Sequence, residues 1–229
     1  MGLRVELLIV GCIAFLVFHL GISGTRLRSI LQDRLGADVY LGVYSVVSVA
    51  AFGLMIYGYS QVSEADVIWY GTPNLIKLTK VMVLMAIVLM VMGLMTPNPT
   101  MVKAEFALAN EITGMLKITR HPVQWGILLF AIAHLIVNGD VASLWLFGTL
   151  ATLSFVGMFS MDARRRRESD PRWQSFMVQT SMMPFAAVAA GRQKLLAADI
   201  NWMGLGVGVA LFALIYFFHD SVSGGVSLI

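Results

Sequence analysis

Residues 75–95 read LIKLTKVMVLMAIVLMVMGLM, and beyond Lys80 no charged side chain interrupts them. At 1.5 Å per residue such a run rises about 30 Å, the thickness of a bilayer's hydrocarbon layer. Lys77 and Lys80 fall in the first turns, where their apolar stems cover hydrocarbon while the ammonium groups reach the interface. The stretch therefore reads as a membrane-spanning helix. Five further apolar runs accompany it, at 7–24, 39–59, 122–137, 141–161 and 202–218. Across all 229 residues the chain is 58% apolar and only 13% charged, with a mean hydropathy of +0.80. Soluble domains carry about a quarter charged residues, so water-soluble folds, disorder and coiled coils are excluded. The single cysteine, Cys12, cannot close an internal disulfide or build a thiolate cluster.

The expected fold is all-α: a polytopic integral membrane protein with about six transmembrane helices in one bundle, forming one domain over 1–229. Arg4 precedes the first run, but no small-residue cleavage site follows it, so that run reads as a permanent helix. The net charge of +3 conceals a strong asymmetry, because 13 of the 16 basic residues fall in the loops after the first, third and fifth runs. The positive-inside rule makes those loops cytoplasmic and puts both termini on the opposite side. The run Arg164 to Arg167 reads as a topology determinant beside anionic lipid; no aromatic or glycine platform accompanies it, and nucleic acid is not expected as a partner.

One or two cytoplasmic interfacial helices are expected as well. From Met101 to Ile118, Lys103, Asn110 and Lys117 recur every seven residues, while Phe106, Ala109, Ile112 and Leu116 mark another face, the pattern of a surface-lying amphipathic helix. A second interfacial or re-entrant element is expected between Asp162 and Asn201, where Trp173, Phe176, Met177 and Met182-Met183-Pro184-Phe185 follow a charged head. On the far side, Trp69 and Tyr70 fit an aromatic belt. Asn138-Gly139-Asp140 reads as a tight turn whose Asp140 caps the next helix.

With so few polar groups in the spans, His19 in the first and His134 in the fourth stand out. An ionisable residue inside a membrane is costly unless paired and marks a candidate functional site. Each reads equally well as a neutral imidazole bonded to a neighbouring helix. Two neutral imidazoles on different helices also meet the requirement for axial ligation of haem iron. Their depths differ, which allows that pairing without demanding it. Arg120-His121-Pro122 opens the fourth helix, with Pro122 suited to its first position. That structural role suffices for the motif. The functional alternative places Arg120, with Arg26 or Arg28, against a carboxylate such as a haem propionate, and makes His121 a general base or switch. The methionine-rich third helix reads as flexible packing, Cys12 as a buried inert thiol, and Gly204 with Gly208 as a helix-packing pair.

The ordered set His19-Leu20-Gly21, Arg26-Leu27-Arg28, Trp69-Tyr70, Pro97-Asn98-Pro99, Thr119-Arg120-His121-Pro122, Ala133-His134-Leu135, Asn138-Gly139-Asp140 and Gly191-Arg192 resembles the NnrU family over nearly the whole chain. The resemblance implies a bacterial inner-membrane protein that supports production of nitrite and nitric oxide reductases or senses nitrogen oxides, with membrane proteins of denitrification as partners. The family is similar to the plant zeta-carotene cis–trans isomerases, which implies haem b ligated by His19 and His134 and an alternative role as an isomerase of a carotenoid or other polyene lipid. His121 corresponds to a histidine conserved in those isomerases, but Ala131 stands where they carry a cysteine, against a redox-gated mechanism. A fainter resemblance, on Arg120-His121-Pro122 and Gly126, is to membrane methyltransferases of the isoprenylcysteine type; here Gln124 replaces the expected aromatic, and Trp125 follows one place late. A haem-free scaffold for reductase assembly is the remaining reading.

Overall fold

The computed structural model describes residues 3–62, 66–101, 103–167 and 170–222; the side chain of Arg4 lies outside this description. Among the described residues five helices are long and apolar enough to cross a membrane: Leu3–Leu16 (α1) with its continuation Val17–Ile22, Ala37–Gln61 (α3), Pro73–Leu94 (α4), Val141–Arg165 (α7) and Trp202–Val222 (α10). The remaining apolar run forms Pro122–Val137 (α6), whose 16 residues rise only about 24 Å. Between them lie Leu27–Leu35 (α2), the short helices Met115–Ile118 (α5), Pro171–Gln179 (α8) and Ala186–Ala189 (α9), and the strands Val67–Tyr70 (β1) and Asn138–Asp140 (β2).

Neighbouring helices pack in the order α3, α1, α7, α6, α4, α10. Without a hydrophobic force between helices in lipid, close backbone approach supplies the dispersion energy. The α1–α3 pair shows how. A Cβ at Gly11 would lie 2.6 Å from the Met55 nitrogen, and one at Gly58 would lie 2.5 Å from the Leu8 nitrogen. In the expected Gly204 and Gly208 pair, a Cβ at Gly208 would meet the Val88 backbone at 3.1 Å, so α10 also lies close on α4.

Helix ends follow the local chemistry. Thr72 accepts from the Leu75 amide ahead of Pro73, and the Asp140 carboxylate accepts from the Ser143 amide at 2.8 Å, as the sequence predicts for the start of α7. The residues around Asp140 differ from expectation. Asn138–Asp140 is an extended strand, not a tight turn, and pairs antiparallel with β1, Trp69 opposite Gly139 and Tyr70 opposite Asn138. A Cβ at Gly139 would strike the Trp69 carbonyl, so only glycine admits the pairing.

The continuous interfacial helix expected over 101–118 does not form. Lys103 and Gly114 adopt φ of 56°, outside the helical region, and break the segment into a 3₁₀ turn at Glu105–Ala109 and the single turn α5. Tertiary partners override the periodicity. Lys103 pairs with Asp38 at 3.0 Å and Lys117 with Asp199 at 2.7 Å, while Leu116 packs under Trp173 and Phe176 of α8. Between Asp162 and Asn201 the structure has the nine-residue helix α8, whose Asp170 accepts from the Arg172 amide.

Replacing Gly11 with valine should force α1 off α3 and lower stability by about 1–3 kcal/mol, the cost of overpacking. Thermal unfolding of the purified protein in detergent reads this directly, and a melting temperature equal to that of the parent would contradict the close-approach account.

Candidate functional site

Leu8, Cys12, Phe15 and His19 follow one another on one face of α1, and the first three are buried. They belong to a core cluster that also takes Ala51 and Met55 from α3, Ala131 from α6, and Leu146 and Phe147 from α7. His19 lies within Val17–Ile22, a π-helical turn. Such turns insert one residue into an α-helix and recur at functional sites. Its Nδ1 lies 2.8 Å from the Phe15 carbonyl, its ring 4.2 Å from that of Phe15 and 5.5 Å from that of Tyr44. His134 repeats the arrangement on α6: Nδ1 lies 2.8 Å from the Phe130 carbonyl, and the ring stacks on Phe147 at 4.5 Å. A carbonyl only accepts, so in both residues Nδ1 carries the proton and Nε2 presents its lone pair, the tautomer that second-shell carbonyls fix in metal-ligating histidines.

The two imidazoles flank one cluster but stand at different depths. Cys12 donates to the Trp145 carbonyl at 3.5 Å and Ser160 to the Gly24 carbonyl at 3.3 Å, so α1 and α7 run parallel. His19 accordingly lies level with Leu153 and Ser154, whereas His134 stacks on Phe147. A separation of seven residues on α7, from 147 to 154, corresponds to about 10 Å along the bundle.

Beside His19 opens a cavity of about 500 Å³, within the size range of small-molecule sites. His19, Tyr44, Ile127 and Leu153 form its inner wall, Tyr40 stands one turn of α3 nearer the opening, and Arg28, Lys103, Arg164 and Arg165 line its mouth. His134 lies outside that lining, as do Arg26, which is exposed, and Arg120. Cys12 is buried in the same cluster as Ala131. Among the described residues no three histidine, cysteine or acidic side chains gather as a metal cluster.

Arg120 and His121 occupy a separate, buried polar knot. His121 is fully buried, and its Nε2 meets Asp162 Oδ1 at 2.8 Å, while Arg120 Nε lies 3.4 Å from Asp162 Oδ2. Arg120 also donates to the Met177 carbonyl at 3.0 Å, Thr119 to the Met182 carbonyl at 2.7 Å, and the Trp125 indole to that same carbonyl at 2.8 Å. Burial pulls the Arg120 pKa below the ordinary guanidinium value, and the Asp162 charge opposes the shift. This knot joins the start of α6, the end of α7 and the loop after α8. His121 Nδ1 is buried with no hydrogen-bond partner among the described residues. Sequence reasoning misses two residues: Asp162, hidden ahead of the arginine run, and Tyr40, one aromatic among many. Asp162 alone carries a usable signal, since an acidic group at the end of an apolar run needs a cation, and Arg120 opens the preceding helix. Asp162→Ala should cost about 3–5 kcal/mol by leaving Arg120 buried without its counter-charge; an unfolding curve superimposable on that of the parent would show that the knot carries no stability.

Two curated relatives match part of the chain. One is the chloroplastic 15-cis-zeta-carotene isomerase of Zea mays, 33% identical over 91 residues that make up 36% of this chain and 23% of the relative. The other is the same enzyme of Arabidopsis thaliana, 34% identical over 84 residues, again 36% of this chain and 23% of the relative. The match thus spans under a quarter of either isomerase's length. No solved structure matches significantly. A family profile described as NnrU protein matches residues 7–227, nearly the entire chain, and the chain therefore belongs to the NnrU family.

Proposed function

We propose that this chain is a membrane haem b protein whose iron ligands are His19 and His134. The observation that carries the reading is the matched state of the two side chains: each has Nδ1 tied to its own helix and, among the described residues, no hydrogen bond at Nε2, on two helices that share one buried cluster. The donor chemistry fits the group. Haem supplies a redox-active iron that takes axial nitrogen ligands. The Phe15 and Phe130 carbonyls hold the rings in one tautomer, Phe147 fixes the His134 plane by stacking, and the apolar cluster excludes water. Of Arg26, Arg28 and Arg120, the arginines expected near haem carboxylates, Arg28 is the one at the cavity, while Arg120 is engaged by Asp162.

Family membership supports a role in producing nitrite and nitric oxide reductases or in sensing nitrogen oxides, at a bacterial inner membrane, with denitrification membrane proteins as partners and the cationic cavity mouth facing the cytoplasm. A second reading, haem-dependent cis–trans isomerisation of a polyene lipid, is favoured by the two isomerase relatives and by the apolar inner wall of the cavity.

The protein purified from haem-replete cells should show a Soret band, and His19→Ala or His134→Ala should each reduce haem retention at least about tenfold, the usual effect of losing one strong ligand. A colourless preparation after haem supplementation, or a band unchanged in both variants, defeats the haem reading. For the second role, expression in a carotenoid-producing host should raise the trans fraction of zeta-carotene; an unaltered isomer ratio alongside an intact Soret band leaves the nitrogen-oxide role in place and removes the isomerase.

A further inference from the structure

The cavity beside His19 contains a polar group that nothing else in the fold employs. Tyr40, from the first turn of α3, is 5% exposed and lines the cavity, yet its phenol oxygen is buried without a hydrogen-bond partner among the described residues. Its ring stacks on Tyr44 at 5.8 Å, so packing fixes where the hydroxyl sits. A buried donor left unpaired is unfavourable and marks either strain or a missing partner.

Charge at the same place shows what that partner is. The mouth carries Arg28, Lys103, Arg164 and Arg165 against two acids, Asp38 and Glu105. Those acids are taken: Lys103 pairs with Asp38 and Arg165 with Glu105, each at 3.0 Å. The Arg28 guanidinium, half-buried, makes no side-chain hydrogen bond or ion pair among the described residues. Its field still reaches Glu105: burial pushes that carboxyl up, but the Arg165 hydrogen bond and the charges of Arg165 and Arg28 outweigh it and hold the group below the usual range. An uncommitted guanidinium and an uncommitted phenol are both donors, and together they suit an oxyanion. Deeper in, Leu41, Tyr44, Ile127 and Leu153 offer apolar surface and no charge.

We propose that Arg28 and Tyr40 form an oxyanion anchor for an amphiphilic ligand: a carboxylate held at Arg28 and Tyr40, with an apolar body along the inner wall. This stands on the cavity and does not depend on iron ligation. Two sources offer the same chemistry, a long-chain lipid acid from the membrane and the carboxylate edge of haem, and esterification separates the anchor from mere apolar partition in both.

The test uses the full chain in detergent, titrated with a fluorescent long-chain polyene fatty acid and its methyl ester, and separately with haem and its dimethyl ester. On the unmutated protein the acid should bind about tenfold tighter than its ester in at least one series, as expected for one charge-assisted hydrogen-bonded contact. Arg28→Gln and Tyr40→Phe, the latter keeping the ring that packs on Tyr44, should each erase that preference while leaving ester binding and the melting temperature unchanged. A preference confined to the fatty acid identifies a lipid ligand. A preference confined to haem identifies the cofactor's carboxylates. Equal binding of acid and ester in both series overturns the anchor without reference to any variant, and so does a preference that survives both substitutions. Loss of the Soret band in the histidine variants, with fatty-acid preference intact, separates this site from the proposed iron ligation.

Discussion

A polar atom in hydrocarbon has no water to fall back on, and the rest of this structure answers to that constraint. Inside the spans, the histidines and the Cys12 thiol turn to carbonyls, and Thr79 donates to the Ala133 carbonyl at 3.2 Å. Charge is displaced to the ends, where much of it is paired. Asp162, a buried carboxylate near a span end, is met by Arg120 and His121 together, which locks the entry of α6 to the exit of α7. Helices associate chiefly through backbone proximity, hence the glycines at the α1–α3 contact.

The two ends of the bundle consequently differ. At the His134 end, β1 and β2 join the loops between α3 and α4 and between α6 and α7, and the Trp69 indole donates to the Ile136 carbonyl. At the His19 end the helices part and a cavity remains, rimmed by cations. From its inner wall to its mouth the cavity thus passes from hydrocarbon-like surface to charge, in the same order that the bilayer itself presents from its centre outward.

The sequence made the spans legible because continuous apolar runs depend on nothing but the solvent. Caps are equally readable: Pro122 and Asp140 act within a turn of their own position. The segment at 101–118 was not, since its seven-residue spacing matched a helix while its charges belonged to partners on α3, α7 and the stretch before α10. Strands β1 and β2 are too short for any alternation to show, and they exist only because two loops meet. Within the candidate site, His19 and His134 were conspicuous by rarity alone. Tyr40 acquires meaning only from what lies beside it, which no spacing along the chain discloses, whereas Asp162 signals only that a cation is needed and not which one.

The π-helical turn at Val17–Ile22 shields most of this cavity from a change in chain length. One residue more than an α-helix needs is accommodated there, and the widened turn takes it up while the helix on either side keeps its facing. The preceding face, with Leu8, Cys12 and Phe15, stays on the core cluster, and α2 beyond the turn keeps the direction that brings Arg28 to the cavity. A single-residue deletion inside the turn would let regular turns resume, so its effect would fall on the side chains within the turn, His19 among them, and not on those that follow. The width of one turn thus sets the aim of one imidazole independently of what the helix carries above and below it.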